Sequence, residues 1–322
     1  MTENMSMHVV GAGAWGTALA NHFAKSMKTS LQVRNKQMLA ELVQRQESPR
    51  LPGVTLHEQL KLVDAFVEAD IICFALPFSV LQEFLQRAPC LDRPLVVASK
   101  GITEDGLLVP DVLEQNGILA NGFLLSGPSF ARDLAHGRPA AVTLAGHGFA
   151  STEALAHCLH NTQLRVYPDD DMRGVALGGA VKNVMAMACG VARGGGLGES
   201  AVAAVAARGF AEIRRLADVI GARPSTMMGL SGFGDLFLTA SSLTSRNTQF
   251  GMALGSGKTV EQAMISVFGI VEGRASINGV LALAEKYDLD LPITSGLRDL
   301  LLAKCSVQEL LDSFRARPMT RE

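Results

Sequence analysis

The sequence has few cysteines and few charged residues, and each shortage excludes a class of protein. Of its 322 residues, 19% are charged and the formal net charge is −2, so no basic field indicates a nucleic-acid or acidic-lipid partner. The five cysteines lack both CxxC spacing and the even number of a disulfide framework. We expect reduced core thiols and a cytoplasmic location. The cysteines are Cys73, Cys90, Cys158, Cys189 and Cys305.

The sequence also lacks a clear targeting or membrane-spanning segment. The N-terminal stretch MTENMSMHVVGAG has no basic region followed by a long apolar run, so we expect no signal peptide. Residues 174–192 approach the length of a transmembrane helix, but several glycines and a central lysine interrupt them. We interpret this segment as a buried core helix and expect no integral membrane segment.

Short β-branched or apolar runs alternate with helical stretches through the first half of the chain. The runs are MHVVGAG, LQVRN, ADIICFALP, PLVVASKG, FLLSGPS, AAVTLAG and LRVYP. Amphipathic segments such as 16–27 and 79–87 separate them, which is typical of a mostly parallel sheet with helices on both faces. The sequence therefore predicts an α/β domain with a doubly wound sheet.

The pattern changes near residue 172. Beyond it the chain has long helical patterns rich in Ala, Leu and Met, interrupted by glycine-rich turns, and no convincing strand. The length also exceeds the roughly 100 to 200 residues of a single domain. We place the boundary in the acidic stretch YPDDDMRG, and predict an α/β domain at 1–172 followed by an all-α domain at 173–322.

A glycine-rich turn, VVGAGAWG, follows the first predicted strand. It places Gly11, Gly13 and Gly16 in GxGxxG spacing before the helix GTALANHFAK. In such a turn the first glycine permits the tight bend, the second lets the backbone approach a pyrophosphate, and the third packs helix against strand. The phosphates then lie at the helix N-terminus. The context favours a dinucleotide site over a merely structural turn.

The second predicted strand lacks the acidic residue typical of an NAD site. Asp or Glu about 20 residues after the glycines normally holds the ribose hydroxyls. This strand instead reads LQVRNKQ, with Arg34, Asn35 and Lys36 at its end. Two cations suit a 2′-phosphate, so the sequence favours NADP without excluding NAD. The alternative is that Arg34 and Lys36 merely lie on a surface loop.

One lysine interrupts an otherwise apolar helical segment. Residues 174–192 contain a single charged residue, Lys182. Removing an unpaired ammonium from water costs several kcal/mol, so this lysine needs a reason. On a helix it shares a face with Gly178, Gly179 and Met185, and the small residues would let ligands approach. The structural alternative is a lysine that reaches the surface or is paired inside the core.

Seven stretches then occur in a recognisable order along nearly the whole chain. They are GAGAWGTALA, ASKGI, SGPSFA, LGGAVKN, GLSGFGDLFLT, SRN and VEG. Together they resemble the bacterial NAD(P)-dependent glycerol-3-phosphate dehydrogenases. The resemblance implies a Rossmann-type N-terminal domain, a helical domain that completes the site, and interconversion of dihydroxyacetone phosphate and sn-glycerol 3-phosphate for phospholipid synthesis. A homodimer is a further expectation that the sequence does not decide.

The resemblance also implies roles for individual residues. Lys182 resembles the lysine that stabilises the developing alkoxide and protonates it. Asp235 is interpreted either as a helix cap or as an acceptor for a substrate hydroxyl or for Lys182. Substrate contacts are implied at Lys100, Gly127, Ser129, Lys182, Asp235, Ser245, Arg246 and Asn247. Cofactor contacts are implied at Gly11, Gly13, Ala14, Trp15, Gly16, Arg34, Asn35, Lys100, Ala131, Arg246 and Glu272.

Other interpretations remain open at this level. A ketopantoate reductase or β-hydroxyacid dehydrogenase would share the two-domain pattern but would act on a carboxylate substrate. A non-catalytic NADP sensor would keep the glycine turn but would not need Lys182. His157 and His160 form an HxxH pair without a glutamate or third ligand, so a surface helix explains them and no metal site is predicted.

Overall fold

The structure is a computed structural model that describes residues 5–86, 92–267 and 269–315. The chain forms two compact units. The first contains the residues up to Lys100 and Val109–Val175, and the second contains Gly101–Leu108 and the residues from Ala176 onward. The structure thus assigns one short segment of the first half of the chain to the second unit.

An eight-stranded, mostly parallel sheet forms the first unit, which confirms the predicted fold class. Across the sheet the order is β3-β2-β1-β4-β5-β6-β7-β8, and neighbours are parallel except β6 with β7. Its first six positions have the order of a doubly wound dinucleotide-binding sheet. The strands are β1 (Ser6–Val10), β2 (Lys28–Gln32), β3 (Lys61–Val63), β4 (Ile71–Phe74), β5 (Leu95–Val97), β6 (Gly122–Ser126), β7 (Ala140–Gly146) and β8 (Leu164–Asp169).

Each predicted run overlaps one of these strands, although β2 begins three residues before its run LQVRN, whereas no run predicts β3. This strand has three residues and lies at the edge of the sheet, too short for a pattern of alternation. Every residue of β4, β5 and β6 is buried, so both faces of the sheet are covered there. The helices of this unit are α1 (Ala14–Phe23), α2 (Lys36–Arg45), α3 (Phe78–Leu85), α4 (Val109–Gln115), α5 (Ala131–Ala135) and α6 (Phe149–Leu159).

The cysteines of the described residues are all free thiols. Cys73 and Cys189 are buried, and burial raises the pKa of each thiol to about 12, so both are inert core residues. Cys158 and Cys305 are only partly buried, which departs from the expectation of core thiols. Cys90 lies outside the described residues.

All named elements of the second unit are helices, as the sequence predicts. The β-structure among its described residues is limited to one isolated β-bridge between Ile102 and Leu108. The division between the units falls inside α7. The helices are α7 (Met172–Gly194), α8 (Glu199–Val219), α9 (Pro224–Met228), α10 (Asp235–Ser241), α11 (Arg246–Gly255), α12 (Val260–Ser266), α13 (Glu272–Glu285), α14 (Pro292–Leu301) and α15 (Val307–Arg315).

Helix α7 is the core helix of the second unit. By length and composition it could cross a membrane, but its apolar stretch is entirely buried inside the protein. Gly190 of α7 meets Gly251 of α11 so closely that an added Cβ would lie 3.0 Å from the Cα of Gly251. The two helix backbones therefore touch, because neither residue has a side chain to separate them. Nearer the middle of α7, a hydrogen bond from Asn247 to Asn183 joins the first turn of α11 to the same helix.

The segment 101–108 packs on α13. A Cβ on Gly106 would lie 2.7 Å from the backbone nitrogen of Leu283, and one on Gly279 would overlap the carbonyl oxygen of Thr103. Gly106 also has a φ of +81°, a conformation that favours glycine. Because Gly106 and Gly279 have no side chains, the backbone of this segment can lie directly against α13. Local sequence patterns do not reveal this contact.

His22, at the end of α1, is a buried neutral histidine. Its Nε2 accepts a hydrogen bond from Nδ2 of Asn161 at 2.7 Å, and that amide orientation is set because the Asn161 Oδ1 accepts from the backbone nitrogens of Gln163 and Leu164. Burial, helped by the charge of Lys25, lowers the pKa of His22 from 6.5 to about 4. A protonated ring would lose the bond from Asn161.

We expect His22 to make the protein acid-sensitive. Because its pKa is lower in the folded state, the unfolded chain binds the extra proton, and stability falls as the pH drops from 6.5 towards 4. The loss from this group is at most about 3 kcal/mol. Denaturant unfolding across this pH range should show a smaller acid loss for His22→Gln, which keeps an acceptor for Asn161. An unchanged pH dependence would contradict the assignment.

Candidate active site

The three glycines of the turn after β1 have three different environments. Gly11 has a φ of +115°, and a Cβ there would lie 2.6 Å from the carbonyl oxygen of Ala75. A Cβ on Gly16 would overlap the carbonyl oxygen of Gly11, so α1 packs directly on the turn. A Cβ on Gly13 would meet no described atom within 4 Å. Neither packing nor its φ of −74° therefore requires glycine at position 13.

Unpartnered polar atoms lie near this turn and along the same edge of the sheet. Trp15 Nε1, Ser99 Oγ and Ser126 Oγ are buried without a hydrogen-bond partner among the described residues. Trp15 lies in the first turn of α1, Ser99 follows β5, and Ser126 ends β6. Since β1, β5 and β6 run parallel within the sheet, all three atoms belong to its carboxyl edge. This edge fits a polar ligand such as a dinucleotide.

Two exposed cations follow β2, one between the strand and α2 and the other at the first position of α2. Arg34 and Lys36 are exposed, and within the described part of the chain neither has an ion pair. Asn35 is the N-cap of α2, and its Oδ1 accepts from the backbone nitrogen of Met38 at 2.9 Å. The Asn35 side chain therefore has a structural role that the sequence-based assignment to the cofactor did not include.

Three predicted substrate residues of the first unit lie together. The carbonyl oxygen of Gly127 accepts from Lys100 Nζ at 3.4 Å and from Ser129 Oγ at 3.2 Å. Gly127 has a φ of +151°, and a Cβ there would lie 2.9 Å from the Cα of Val142. No larger residue fits this position without moving the neighbouring strand. Ala131 follows closely as the first residue of α5.

In the second unit, Lys182 has a buried partner. Its Nζ lies 2.6 Å from Oδ1 of Asp235 and 3.1 Å from Oγ1 of Thr239. The side chains of Lys182 and Asp235 are only 11% and 1% exposed. Thr239 also donates to the backbone carbonyl of Asp235 at 2.6 Å. Of the interpretations left open for Asp235, the structure shows the acceptor for Lys182.

A π-helical turn, Leu230–Gly234, leads into Asp235. A Cβ on Gly178 of α7 would overlap the carbonyl oxygen of Ser231 in this turn. Gly178 is therefore a packing glycine, which corrects the expectation that it leaves room for a ligand. The close contact holds the start of α10 against α7, and this positions Asp235 to meet Lys182.

The residues of the SRN stretch differ in their contacts. Ser245 is the N-cap of α11 and accepts from the backbone nitrogen of Thr248 at 3.3 Å. Asn247 is buried and hydrogen-bonded to Asn183 and Gly273. Arg246 is exposed at the first position of α11, with no hydrogen bond or ion pair to a described residue. Arg246 is thus the member of the three whose charged group remains available to a ligand.

Glu272 is the first residue of α13, and its Oε2 accepts from Nδ2 of Asn183 at 3.0 Å. Sequence reasoning identified Glu272 but assigned no role in the site to Asn183 or Thr239. Thr239 could have been found from its spacing, because it lies one helical turn after Asp235. The role of Asn183 could not be read from neighbouring residues, because its hydrogen-bond partners lie 64 and 89 residues further along the chain.

The HxxH pair has no catalytic geometry. His157 and His160 are both exposed, one on α6 and the other immediately after it. Nδ1 of His160 lies within hydrogen-bonding distance of the backbone of Val166. Among the described residues, no group of three or more His, Cys, Asp or Glu side chains could hold a metal ion.

Comparison with known proteins points to one family. A model described as the N-terminus of NAD-dependent glycerol-3-phosphate dehydrogenase matches residues 6–150, and the corresponding C-terminal model matches residues 171–312. The chain is similar to the glycerol-3-phosphate dehydrogenase (NAD(P)+) of Parvibaculum lavamentivorans, with 40% identity covering 98% of this chain and 97% of that protein. The Caulobacter vibrioides protein of the same name is 41% identical, with 98% of each chain covered.

A solved structure agrees with these sequence similarities. The crystal structure of glycerol-3-phosphate dehydrogenase from Coxiella burnetii has a TM-score of 0.90 and 31% identity to this chain. The match covers 98% of this chain and 99% of that one. Similarity therefore extends through both units.

Proposed function

Because this chain belongs to the NAD-dependent glycerol-3-phosphate dehydrogenase family of oxidoreductases, we propose that it interconverts dihydroxyacetone phosphate and sn-glycerol 3-phosphate with NAD(P). The observation that carries the proposal is the buried pair of Lys182 and Asp235. Ketone reduction needs a positioned cation and proton donor beside the carbonyl oxygen. An ammonium held in place by a carboxylate meets that need.

In this mechanism Lys182 is the catalytic residue. When bound, the reduced nicotinamide supplies a hydride to the carbonyl carbon. Lys182 stabilises the negative charge that develops on the carbonyl oxygen and then transfers a proton from Nζ to it. In the oxidative direction the neutral amine accepts that proton. Asp235 and Thr239 fix the position of Nζ, and Asp235 also offers an acceptor near the substrate hydroxyl.

The other site residues bind rather than react. The glycine turn, Ala14 and Trp15 hold the cofactor, with Ala131 and Glu272 as further contacts. Lys100, Gly127 and Ser129 form the substrate contacts of the first unit, and Lys100 touches the cofactor as well. We assign these roles to a dinucleotide-binding domain at 1–172 and a catalytic helical domain at 173–322, with segment 101–108 packed on the latter.

Arg246 is proposed to bind the substrate phosphate, together with Ser245 and Asn247, and to reach the cofactor. A charge-assisted contact to a phosphate contributes about 1.5 to 3 kcal/mol. Arg246→Ala should therefore lose about one to two decades in kcat/KM with dihydroxyacetone phosphate and little with dihydroxyacetone. Steady-state assays with both ketones check this, with the exposed Arg214→Ala as a control. Equal losses on both ketones would assign Arg246 to the cofactor or the fold.

NADP is the proposed cofactor, because Arg34 and Lys36 replace the acid expected after β2. Arg34→Asp removes a partner of the 2′-phosphate and adds a like charge, so NADPH should bind about ten- to a hundredfold more weakly, with NADH far less affected. Fluorescence titration with both cofactors measures this. Arg50→Asp makes the same charge change at another exposed position and should alter neither affinity. A wild-type preference for NADH would contradict the assignment.

One assay tests the proposed substrate against its alternatives. NADPH and NADH oxidation should be fast with dihydroxyacetone phosphate and slow with ketopantoate or unphosphorylated dihydroxyacetone. Preference for ketopantoate would favour a carboxylate reductase, and no oxidation would favour an NADP sensor. The family models and full-length relatives support the phosphate substrate.

The remaining proposals concern the cellular location, oligomeric state and partners of the enzyme. We propose a cytoplasmic homodimer that supplies glycerol 3-phosphate for phospholipid synthesis. The small-molecule substrate is its main partner, and the low net charge gives no support for nucleic acid. Light scattering with size-exclusion chromatography would test the dimer.

A further inference from the structure

Four polar groups form one directed hydrogen-bond chain in the helical unit. The backbone nitrogen of Gly273 donates to Oδ1 of Asn247 at 2.9 Å, and Nδ2 of Asn247 donates to Oδ1 of Asn183 at 2.9 Å. Nδ2 of Asn183 then donates to Oε2 of Glu272 at 3.0 Å. A backbone N–H can only donate and a carboxylate can only accept, so both ends of the chain impose the same direction on both amides.

The chain is buried and tightly packed. Asn183 and Asn247 are only 4% and 7% exposed. Gly273 lies against the backbone of Asn183, where a Cβ would be 2.6 Å from the carbonyl oxygen. The first turn of α13 can thus approach α7 closely only because residue 273 is glycine. This packing explains two residues of the VEG stretch, because its glutamate accepts a hydrogen bond from Asn183 and its glycine lies against the backbone of Asn183.

We propose that Asn183 is a positioning residue, which holds the Glu272 carboxylate in the orientation that binds the nicotinamide cofactor. The inference rests on the proposed function, in which Glu272 contacts the cofactor. Asn183 follows Lys182 on α7 and bonds to α11 and α13, whereas Lys182 bonds to α10. Two adjacent residues of one helix therefore orient the cofactor contact and carry the proton.

An asparagine suits this position because it must accept from one neighbour and donate to another. Aspartate keeps the acceptor for Asn247 but has no proton for Glu272, so two carboxylates would meet at about 3 Å and repel each other. At low pH such a pair shares one proton, and the hydrogen bond returns. The substitution Asn183→Asp thus converts a fixed contact into a pH-dependent one.

The test is a double-mutant cycle of Asn183→Asp and Glu272→Gln, read by fluorescence titration of NADPH between pH 5.5 and 8.5. At pH 8 we expect Asn183→Asp to raise the Kd about tenfold or more, with the loss shrinking towards pH 5.5. The double variant exchanges acid and amide and restores a donor, so it should bind more tightly than the two single losses predict. Thermal melts without cofactor should show the same coupling.

A matched control makes the same chemical change elsewhere. Asn116 belongs to the first unit and donates its Nδ2 to the carbonyl oxygen of Val112 in α4. Asn116→Asp should leave NADPH affinity and its pH profile unchanged. If Asn183→Asp does not fold, Asn183→Ser provides a second variant, which shortens the donor and should weaken NADPH binding equally at all pH values.

The outcomes separate the inference from the function on which it rests. If Glu272→Gln weakens NADPH binding but Asn183→Asp does not, the cofactor role of Glu272 stands and the inference is wrong. Strictly additive effects in the cycle, or a loss in Asn183→Asp that is the same at every pH, would also overturn it. If Glu272→Gln binds NADPH like the wild type, the proposed role of Glu272 fails and the inference fails with it.

Discussion

Hydride transfer in the Lys182→Met variant should be at least about a thousandfold slower than in the wild type. General acid chemistry alone contributes roughly 10²- to 10⁴-fold, and loss of alkoxide stabilisation adds to it. Cofactor binding, which we assign mainly to the first unit, should change little. Single-turnover measurements with NADPH titration on the same sample check both expectations. Near-normal hydride transfer by a folded variant would end the catalytic assignment of Lys182.

The ion pair between Lys182 and Asp235 changes the expected effect of this variant on folding. An unpaired ammonium would make Lys182→Met neutral or stabilising, but Lys182 is paired with Asp235, which is 1% exposed. Replacing the lysine takes the ammonium away from a buried carboxylate, at a cost of about 3 to 5 kcal/mol. The double variant Lys182→Met with Asp235→Asn also removes the negative charge of the carboxylate and should recover much of the thermal stability. It should recover none of the hydride transfer.

The second large effect should distinguish two glycines that are three residues apart. Gly16→Ala forces a Cβ into the carbonyl oxygen of Gly11, so it should lower the free energy of unfolding by about 3 kcal/mol. Gly13→Ala places its Cβ in open space, so the thermal midpoint without cofactor should stay close to that of the wild type. Its NADPH affinity should nevertheless fall about ten- to a hundredfold, because the added methyl group keeps the phosphates from the backbone.

Thermal melts and NADPH titrations of both variants give this comparison. Gly53→Ala is the control for added bulk, although its φ of +78° should cost some stability by itself. A Gly13→Ala variant with normal NADPH affinity would mean that the open space at Gly13 does not receive the cofactor.

Local features of the chain were enough to predict the mostly parallel sheet of the first unit, apart from the short edge strand β3. The strands β4, β5 and β7 each lie inside a predicted run of β-branched or apolar residues, and such runs indicate burial. The proposed cofactor turn after β1 is recognisable from the spacing of Gly11, Gly13 and Gly16, because the conformation of a tight turn depends on adjacent residues. In the same way the lone charge of Lys182 stood out within an apolar helix. Each of these features involves residues that are close together in the sequence.

The amino-acid sequence alone was therefore enough to predict the fold class and to single out the glycine-rich turn and Lys182. Only the folded protein shows which groups meet: Asp235 with Lys182, Glu272 with Asn183, and segment 101–108 with α13. These contacts join residues that are far apart in the chain, and they depend on glycines such as Gly178 and Gly273 that let backbones touch. Helical periodicity shows which face of a helix is buried, but not which distant helix packs against it, and so the partners appear only in the folded protein.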